Sequence, residues 1–271
     1  MIYQIAFTVR SGSTLLCEHL AANGFGHPRE YFQYDAFGVM APGALQTLGV
    51  VPGDIRGYIR AILAQRSRDG VFGGKLSWHQ KNALLDEAMR QDAAVRSLED
   101  LFPGLRWLYI RRRDKIGQAV STWRAIRSGR WHSTDPAAKD ERPPYDYFPI
   151  FAFYQSILAE EWLWQHYSQR QAVPPLVVEY EDLQDAPRTT MATVVRHLCK
   201  PEEAAAAERL ELATNLEKMR DEYSAELRER FAADLQHIGA ASHWESRRDQ
   251  ARRWQEFFDG ELWRRPPGGT V

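Results

Sequence analysis

Apolar and polar positions alternate between two rhythms along the chain, and the switches between them predict an α/β protein. Residues 2–9, Ile-Tyr-Gln-Ile-Ala-Phe-Thr-Val, are rich in β-branched and aromatic side chains and predict a buried strand. Arg10-Ser-Gly-Ser-Thr14 interrupts the run. Leu15, Leu16, His19 and Leu20 then recur at helical spacing, with Asn23-Gly24 as a stop. Gly and Pro make 35–57 irregular, although helical patterning resumes near Ile55 to Gln65. Further strands are predicted at Val71–Leu76, Leu105–Ile110 and Leu176–Tyr180, with helices over Asp114–Ile126, Phe151–His166 and Pro187–Cys199. Residues 128–149 read as a long polar loop of the kind used as lids or binding segments. An Ala/Glu/Arg-rich stretch over Glu202–Leu235 predicts helix in two pieces. Strands alternating with helices imply a central parallel sheet flanked by helices, with ligands at the strand C-termini and a helical C-terminal region.

Composition narrows the function classes. The chain has 271 residues, 44% hydrophobic and 26% charged, and a formal net charge of -1. That balance fits a globular core and disfavours a general nucleic-acid binder, which needs surplus Lys and Arg. No run approaches the ~20 apolar residues of a membrane span, and Arg10 directly after the first apolar run argues against a signal peptide. Cys17 and Cys199 are the only cysteines, so no disulfide framework is expected and a reducing cytoplasm is the simplest home. His27, His79 and His132 lack metal-ligand spacing, and no metal is inferred. With no repeat and no composition break, a single domain over 1–263 is expected, followed by a flexible Pro/Gly tail over 264–271.

Arg10, Ser11, Gly12, Ser13 and Thr14 sit where a phosphate cradle belongs, between a strand and a helix. Free amides at the helix start and the helix dipole attract an anion, and hydroxyls and a guanidinium add to them. The same residues suit a simple helix cap, and the loop alone does not separate the two. The Walker lysine and second glycine are missing, which disfavours an ATP-splitting enzyme such as a kinase. The flanking glycines of a nucleophile elbow are also missing. A second basic element, Arg111-Arg112-Arg113, follows the third strand, with Ser121 two helical turns further on. An arginine fork suits a phosphate, although charge runs are often plain solvated faces. Two anion sites at two strand ends suit a ligand with two separated phosphate groups, such as 3′-phosphoadenosine 5′-phosphosulfate (PAPS).

The blocks V-R-S-G-S-T-L-L-C-E-H-L, H-P-R-E-Y-F-Q-Y, F-G-G-K-L-S-W, R-R-R-D-K-I-G-Q-A-V-S-T-W-R-A and Y-E-D-L, in this order over roughly 3–235, resemble the bacterial trehalose 2-sulfotransferase family. The resemblance implies a P-loop-like sulfotransferase fold, PAPS as sulfonate donor, a sugar or other small-molecule acceptor, and a homodimer. It places the 5′-phosphosulfate on Arg10–Thr14, the 3′-phosphate on Arg113 and Ser121, and the catalytic base on Glu30. Acceptor contacts then fall on Pro28, Arg29, Tyr31, Phe32 and Gln33 around that base. Lys75 is read either as a sulfonate contact or as a solvent-facing lysine. Trp78 and Trp131 are read either as sugar-stacking rings or as core. Val9 and Arg29 stand where the family carries glutamines, and Arg29 suits an acceptor with a negative group. A non-catalytic nucleotide-binding module with the same fold is the alternative, which the carboxylate of Glu30 disfavours.

Overall fold

The structure is a computed structural model that describes residues 1–33, 53–132, 134–135, 142–171, 173–199, 210–212 and 221–240. In chain order these form β1 (Ile2–Phe7), α1 (Ser13–Ala22), α2 (Ile55–Arg66), β2 (Phe72–Leu76), α3 (Trp78–Gln91), α4 (Leu98–Leu101) and β3 (Arg106–Arg111). Then come α5 (Lys115–Ser128), α6 (Tyr147–Ser168), β4 (Leu176–Glu179), α7 (Tyr180–Asp185), α8 (Pro187–Leu198) and α9 (Glu222–Ala240). The four strands make one parallel sheet in the order β2-β1-β3-β4, the α/β arrangement expected from the alternating pattern. Most predicted elements are present with shifted ends. β1 stops at Phe7, so Thr8 and Val9 belong to the turn, and Tyr180 opens a helix rather than closing a strand. The long loop yields its last residues to α6, which begins at Tyr147. Within the predicted 202–235 helix, Leu210–Leu212 are not helical. Leu210 enters the core, and the side chain of Asn23 clamps the backbone N–H and C=O of Glu211 at 2.8 and 2.7 Å. The predicted tail over 264–271 lies outside the described residues.

Two compact units divide the chain: Met1–Arg113 with Glu160–Asn215, and Asp114–Ala159 with Leu216–Val271. The first holds the sheet. Tyr3, Ile5 and Phe7 of β1 meet Leu16 and Leu20 of α1 and Val194 and Val195 of α8 on one face. On the other face Ala6, Phe72, Leu76 and Tyr109 pack with Ile59 and Ile62 of α2, Leu84 of α3 and Trp164 of α6. β1 and β2 approach closely because Gly73 and Gly74 leave room for Tyr3 and Gln4. A Cβ on Gly74 would stand 2.4 Å from the Gln4 amide oxygen. In the second unit α5 packs with α9. Arg124 forks onto Asp221 at 2.6 and 2.9 Å, and Arg228 meets Asp114 at 2.9 Å. Tyr147, Phe151 and Phe231 form its aromatic cluster.

Lys81 on α3 is buried, 4% exposed, with its ammonium 3.8 Å from the ring centroid of Trp78 and 4.8 Å from that of Tyr167. Burial lowers its pKa from 10.5 to about 8. Between those values the unfolded chain binds more protons than the folded one, so stability rises as pH climbs through that window. Lys81→Met is expected to abolish this rise and to stabilise the protein at pH 7 by about 1–2 kcal/mol. That gain is the desolvation cost of the charge less the cation–π attraction it forgoes. Urea midpoints at pH 7 and pH 10 measure it, and a variant weaker than wild type at pH 7 would show that the ring contacts win.

Candidate functional site

The turn between β1 and α1 is held by the Ser11 N–H donating to the Thr8 carbonyl at 3.2 Å. Arg10 takes a left-handed backbone, φ 57°, which an L-residue adopts only at a cost of ~1–2 kcal/mol. The N-cap of α1 is Gly12, also left-handed at φ 89°, and no side chain caps the helix. Simple capping by Ser11–Thr14 is therefore excluded. By contrast Asp54, Ser77 and Asp114 each accept a backbone N–H at the starts of α2, α3 and α5. The first turn of α1 carries no acidic residue, so its orphan amides keep their positive potential. Ser11 is fully buried, and its hydroxyl has no hydrogen-bond partner. An unmet hydroxyl beside uncapped amides suits an anion with several acceptor oxygens.

Glu30 reaches the sheet by an edge contact. Arg29 bridges Gly74 in parallel fashion, and the Lys75 N–H donates to the Arg29 carbonyl at 2.9 Å. This sets the Glu30 carboxylate beside β2, where the Lys75 ammonium lies 3.0 Å from Oε1 and the Gln80 amide nitrogen 2.9 Å from Oε2. Lys75 is thus neither solvent-facing nor idle. Its Nζ also stands 5.0 Å over the Phe7 ring, at the end of β1. Cys17 on α1 feels the charges of Lys75, Glu30 and Arg29, yet burial dominates and pushes its thiol up to about 12. A thiolate nucleophile is excluded there.

The residues flanking Glu30 divide. Arg29 and Gln33 are exposed and face solvent, while Pro28 is buried. Phe32 is 1% exposed and meets Tyr58 and Phe102 edge-on. Its expected acceptor contact is corrected: the ring is core. Tyr31 is half-buried, tilted against the Phe72 ring, and its hydroxyl donates to the His27 carbonyl at 2.8 Å. Trp78 packs edge-on against Trp164 and Tyr167 beneath Lys81, a core role. Trp131 is exposed.

Arg113 is the last residue of the first unit, and Ser121 lies on α5 in the second. The Arg113 guanidinium pairs with Asp182 at 2.6 Å, and the Arg113 backbone N–H donates to Glu181 at 3.0 Å. That bond to Arg113 holds the Asp182 carboxyl below its ordinary pKa. Three residues at this site were not singled out from the sequence: Gln80, Tyr180 and Asp182. For Gln80 the signal was legible, since Ser77-x-x-Gln80 is a capping box. For the other two only tertiary contact reveals a role. Among the described residues no group of three or more His, Cys, Asp or Glu is placed to hold a metal, and no helix is long and apolar enough to cross a membrane.

The family model for Stf0 sulphotransferase matches residues 2–234. A trehalose 2-sulfotransferase of Mycolicibacterium smegmatis is 30% identical over 88% of this chain and 96% of its own. Another, of Mycobacterium tuberculosis, is 27% identical over the same shares. Among solved structures, the sulfotransferase domain from the curacin biosynthetic pathway is 12% identical over 85% of this chain and 97% of that chain. Its TM-score is 0.43.

Gly12 lies against the ring of Tyr180, and a Cβ there would stand 2.2 Å from Cδ2. Gly12→Ala combines that clash with a left-handed backbone, and a loss of about 2–4 kcal/mol is expected in denaturant unfolding. Tyr180→Ala relieves the clash but not the backbone strain, so the double variant should lose at least ~1 kcal/mol less than the two single losses summed. Strict additivity would mean that the ring does not press on the turn.

Proposed function

The chain belongs to the Stf0 sulphotransferase family, and from that premise we propose that it transfers a sulfonate group from PAPS to a hydroxyl of a carbohydrate, with Glu30 as the general base. The observation that carries this reading is the placement of Glu30. Its carboxylate is fixed from two sides by Lys75 and Gln80, at the edge of the strand neighbouring the one that feeds the Arg10–Thr14 turn.

PAPS supplies the sulfonate and a good leaving phosphate. The buried Ser11 hydroxyl and the uncapped amides of α1 fit its 5′ end, and Arg10, Ser13 and Thr14 add charge and hydroxyl donors. The resemblance assigns Arg113 to the 3′-phosphate, with Arg113 giving up its exposed pair with Asp182 to do so. Glu30 accepts the proton of the acceptor hydroxyl as that oxygen bonds to sulfur and the bridging S–O bond breaks. Lys75, already at Glu30, is assigned to a sulfonate oxygen, where its cation opposes the charge that develops. Arg29, Tyr31 and Gln33 border the carboxylate and are assigned to the acceptor, which the names of the two curated relatives suggest is a sugar. The exposed cation of Arg29 favours an acceptor carrying a negative group.

Calorimetry with adenosine 3′,5′-bisphosphate beside ATP tests the donor class: binding of the first and none of the second is expected. Arg113→Ala should weaken that binding about 10- to 100-fold, and unchanged affinity would remove Arg113 from the nucleotide site. Glu30→Gln should cut transfer from radiolabelled PAPS by about 100-fold or more while leaving nucleotide affinity as it was. Full activity in that variant would overturn the base assignment. Trehalose and a uronate-containing disaccharide, run side by side, test the acceptor class.

A further inference from the structure

The Gln80 side chain, 8% exposed, is used in two directions at once. Its Oε1 accepts the Ser77 N–H at 2.8 Å, and the Ser77 hydroxyl accepts the Gln80 N–H at 3.3 Å, which closes the capping box of α3. Its Nε2 donates to Glu30 Oε2 at 2.9 Å. The Ser77 N–H can only donate and a carboxylate can only accept. The amide therefore has one orientation that satisfies both neighbours, oxygen toward Ser77 and nitrogen toward Glu30.

A glutamate at this third helical position would close the same capping box equally well. It would, however, turn an oxygen rather than a donor toward Glu30 and set two carboxylates against each other. Helix capping alone thus does not distinguish the amide from the acid, whereas the neighbouring Glu30 does. The outcome is a carboxylate with each oxygen spoken for, Oε1 by Lys75 and Oε2 by Gln80. Lys75 comes from a strand and Gln80 from the first turn of a helix, so both supports sit on regular elements rather than on loops.

We propose that Gln80 is a positioning residue for Glu30, selected as an amide so that one side chain both starts α3 and fixes the orientation of the base. The inference rests on the reading of Glu30 as that base. Gln80 itself touches neither the donor nor the acceptor in this scheme. Its contribution is orientation, where a misplacement of about 1 Å costs on the order of 100-fold in rate.

The test separates capping from positioning. Gln80→Glu keeps the cap and removes the donor; it is expected to hold Tm within a few degrees of wild type, leave KM for PAPS within about twofold, and lower kcat by about 50-fold or more. Ser77→Ala weakens the cap and keeps the donor, so it should lower Tm with kcat near wild type. Transfer is followed with radiolabelled PAPS and trehalose, or whichever sugar of a mono- and disaccharide panel the wild type sulfates best. A fully active Gln80→Glu, or a Ser77→Ala whose kcat falls in step with Tm, would overturn the proposal. Glu30→Gln is assayed alongside: if it is inactive while Gln80→Glu is active, only the role of Gln80 fails, and if it is active the base assignment fails first. An acceptor-free reading comes from NMR, where the side-chain amide resonance of Gln80 should move in Glu30→Gln. A resonance that stays in place would also overturn the inference.

Discussion

The position of Glu30 depends on one short backbone contact, the docking of Arg29 onto Gly74 at the outer edge of β2. The Lys75 N–H donates to the Arg29 carbonyl, and that bond fixes the register of the 28–33 segment against the strand. Register decides which side chain meets which. With Arg29 opposite Gly74, Glu30 falls beside Lys75 and within reach of the first turn of α3. The residues that follow act as anchors. The Tyr58 hydroxyl donates to the Tyr31 carbonyl, and Phe32 fills the space between Tyr58 and Phe102. The partly exposed Glu30 carboxylate is thus carried on a segment that the Tyr31 carbonyl and the Phe32 ring anchor to the core.

Charge is sorted along the strand ends with the same economy. Lys75 on β2 faces Glu30, Arg111 on β3 faces Glu179 of β4 at 2.6 Å, and Arg113 faces Asp182. The start of α1 differs, since its cap residue has no side chain and its first turn has no acid. Pairing at the other strand ends neutralises local field, while the amides above β1 keep theirs. The Ser11 hydroxyl, buried and without a hydrogen-bond partner, stands beside those amides. Lys75 and Arg113, by contrast, each already hold a carboxylate partner.

The sheet was legible in the sequence because parallel strands buried on both faces read as near-continuous apolar runs, as 2–7 and 106–110 do. The glycine turn was legible for the same reason: it interrupts such a run with small polar residues. What escaped was written in polar residues that the fold buries. α3 has no clean apolar stripe because Gln80 and Lys81 occupy inward positions, one spent on a cap and a carboxylate, the other on two aromatic rings. Phe32 was assigned to a ligand because nothing local distinguishes an aromatic that lines a site from one that anchors it; Tyr58 and Phe102, far along the chain, decide. Arg113 reads as a free basic residue until the acids of the Y-E-D-L stretch arrive from 68 and 69 positions away. Cβ space is equally non-local: Gly12 is legible as a turn residue, but not as the seat of the Tyr180 ring.

That last stretch has more to do than its length suggests. α7 follows β4 directly, and its first three residues each touch the turn after β1 or the arginines after β3. The Tyr180 ring covers Gly12 and lies 5.3 Å under the Arg112 guanidinium. Glu181 accepts the backbone N–H of Arg113, and Asp182 holds its side chain. Burial pushes the Tyr180 hydroxyl up, so the ring stays neutral and offers Arg112 its face rather than a second charge. The turn above β1 and the arginines above β3 are therefore set by a common neighbour arriving from β4. The sheet sets the separation of the two basic elements, since β1 and β3 pair directly with Phe7 opposite Ile110, and α7 packs against both from above.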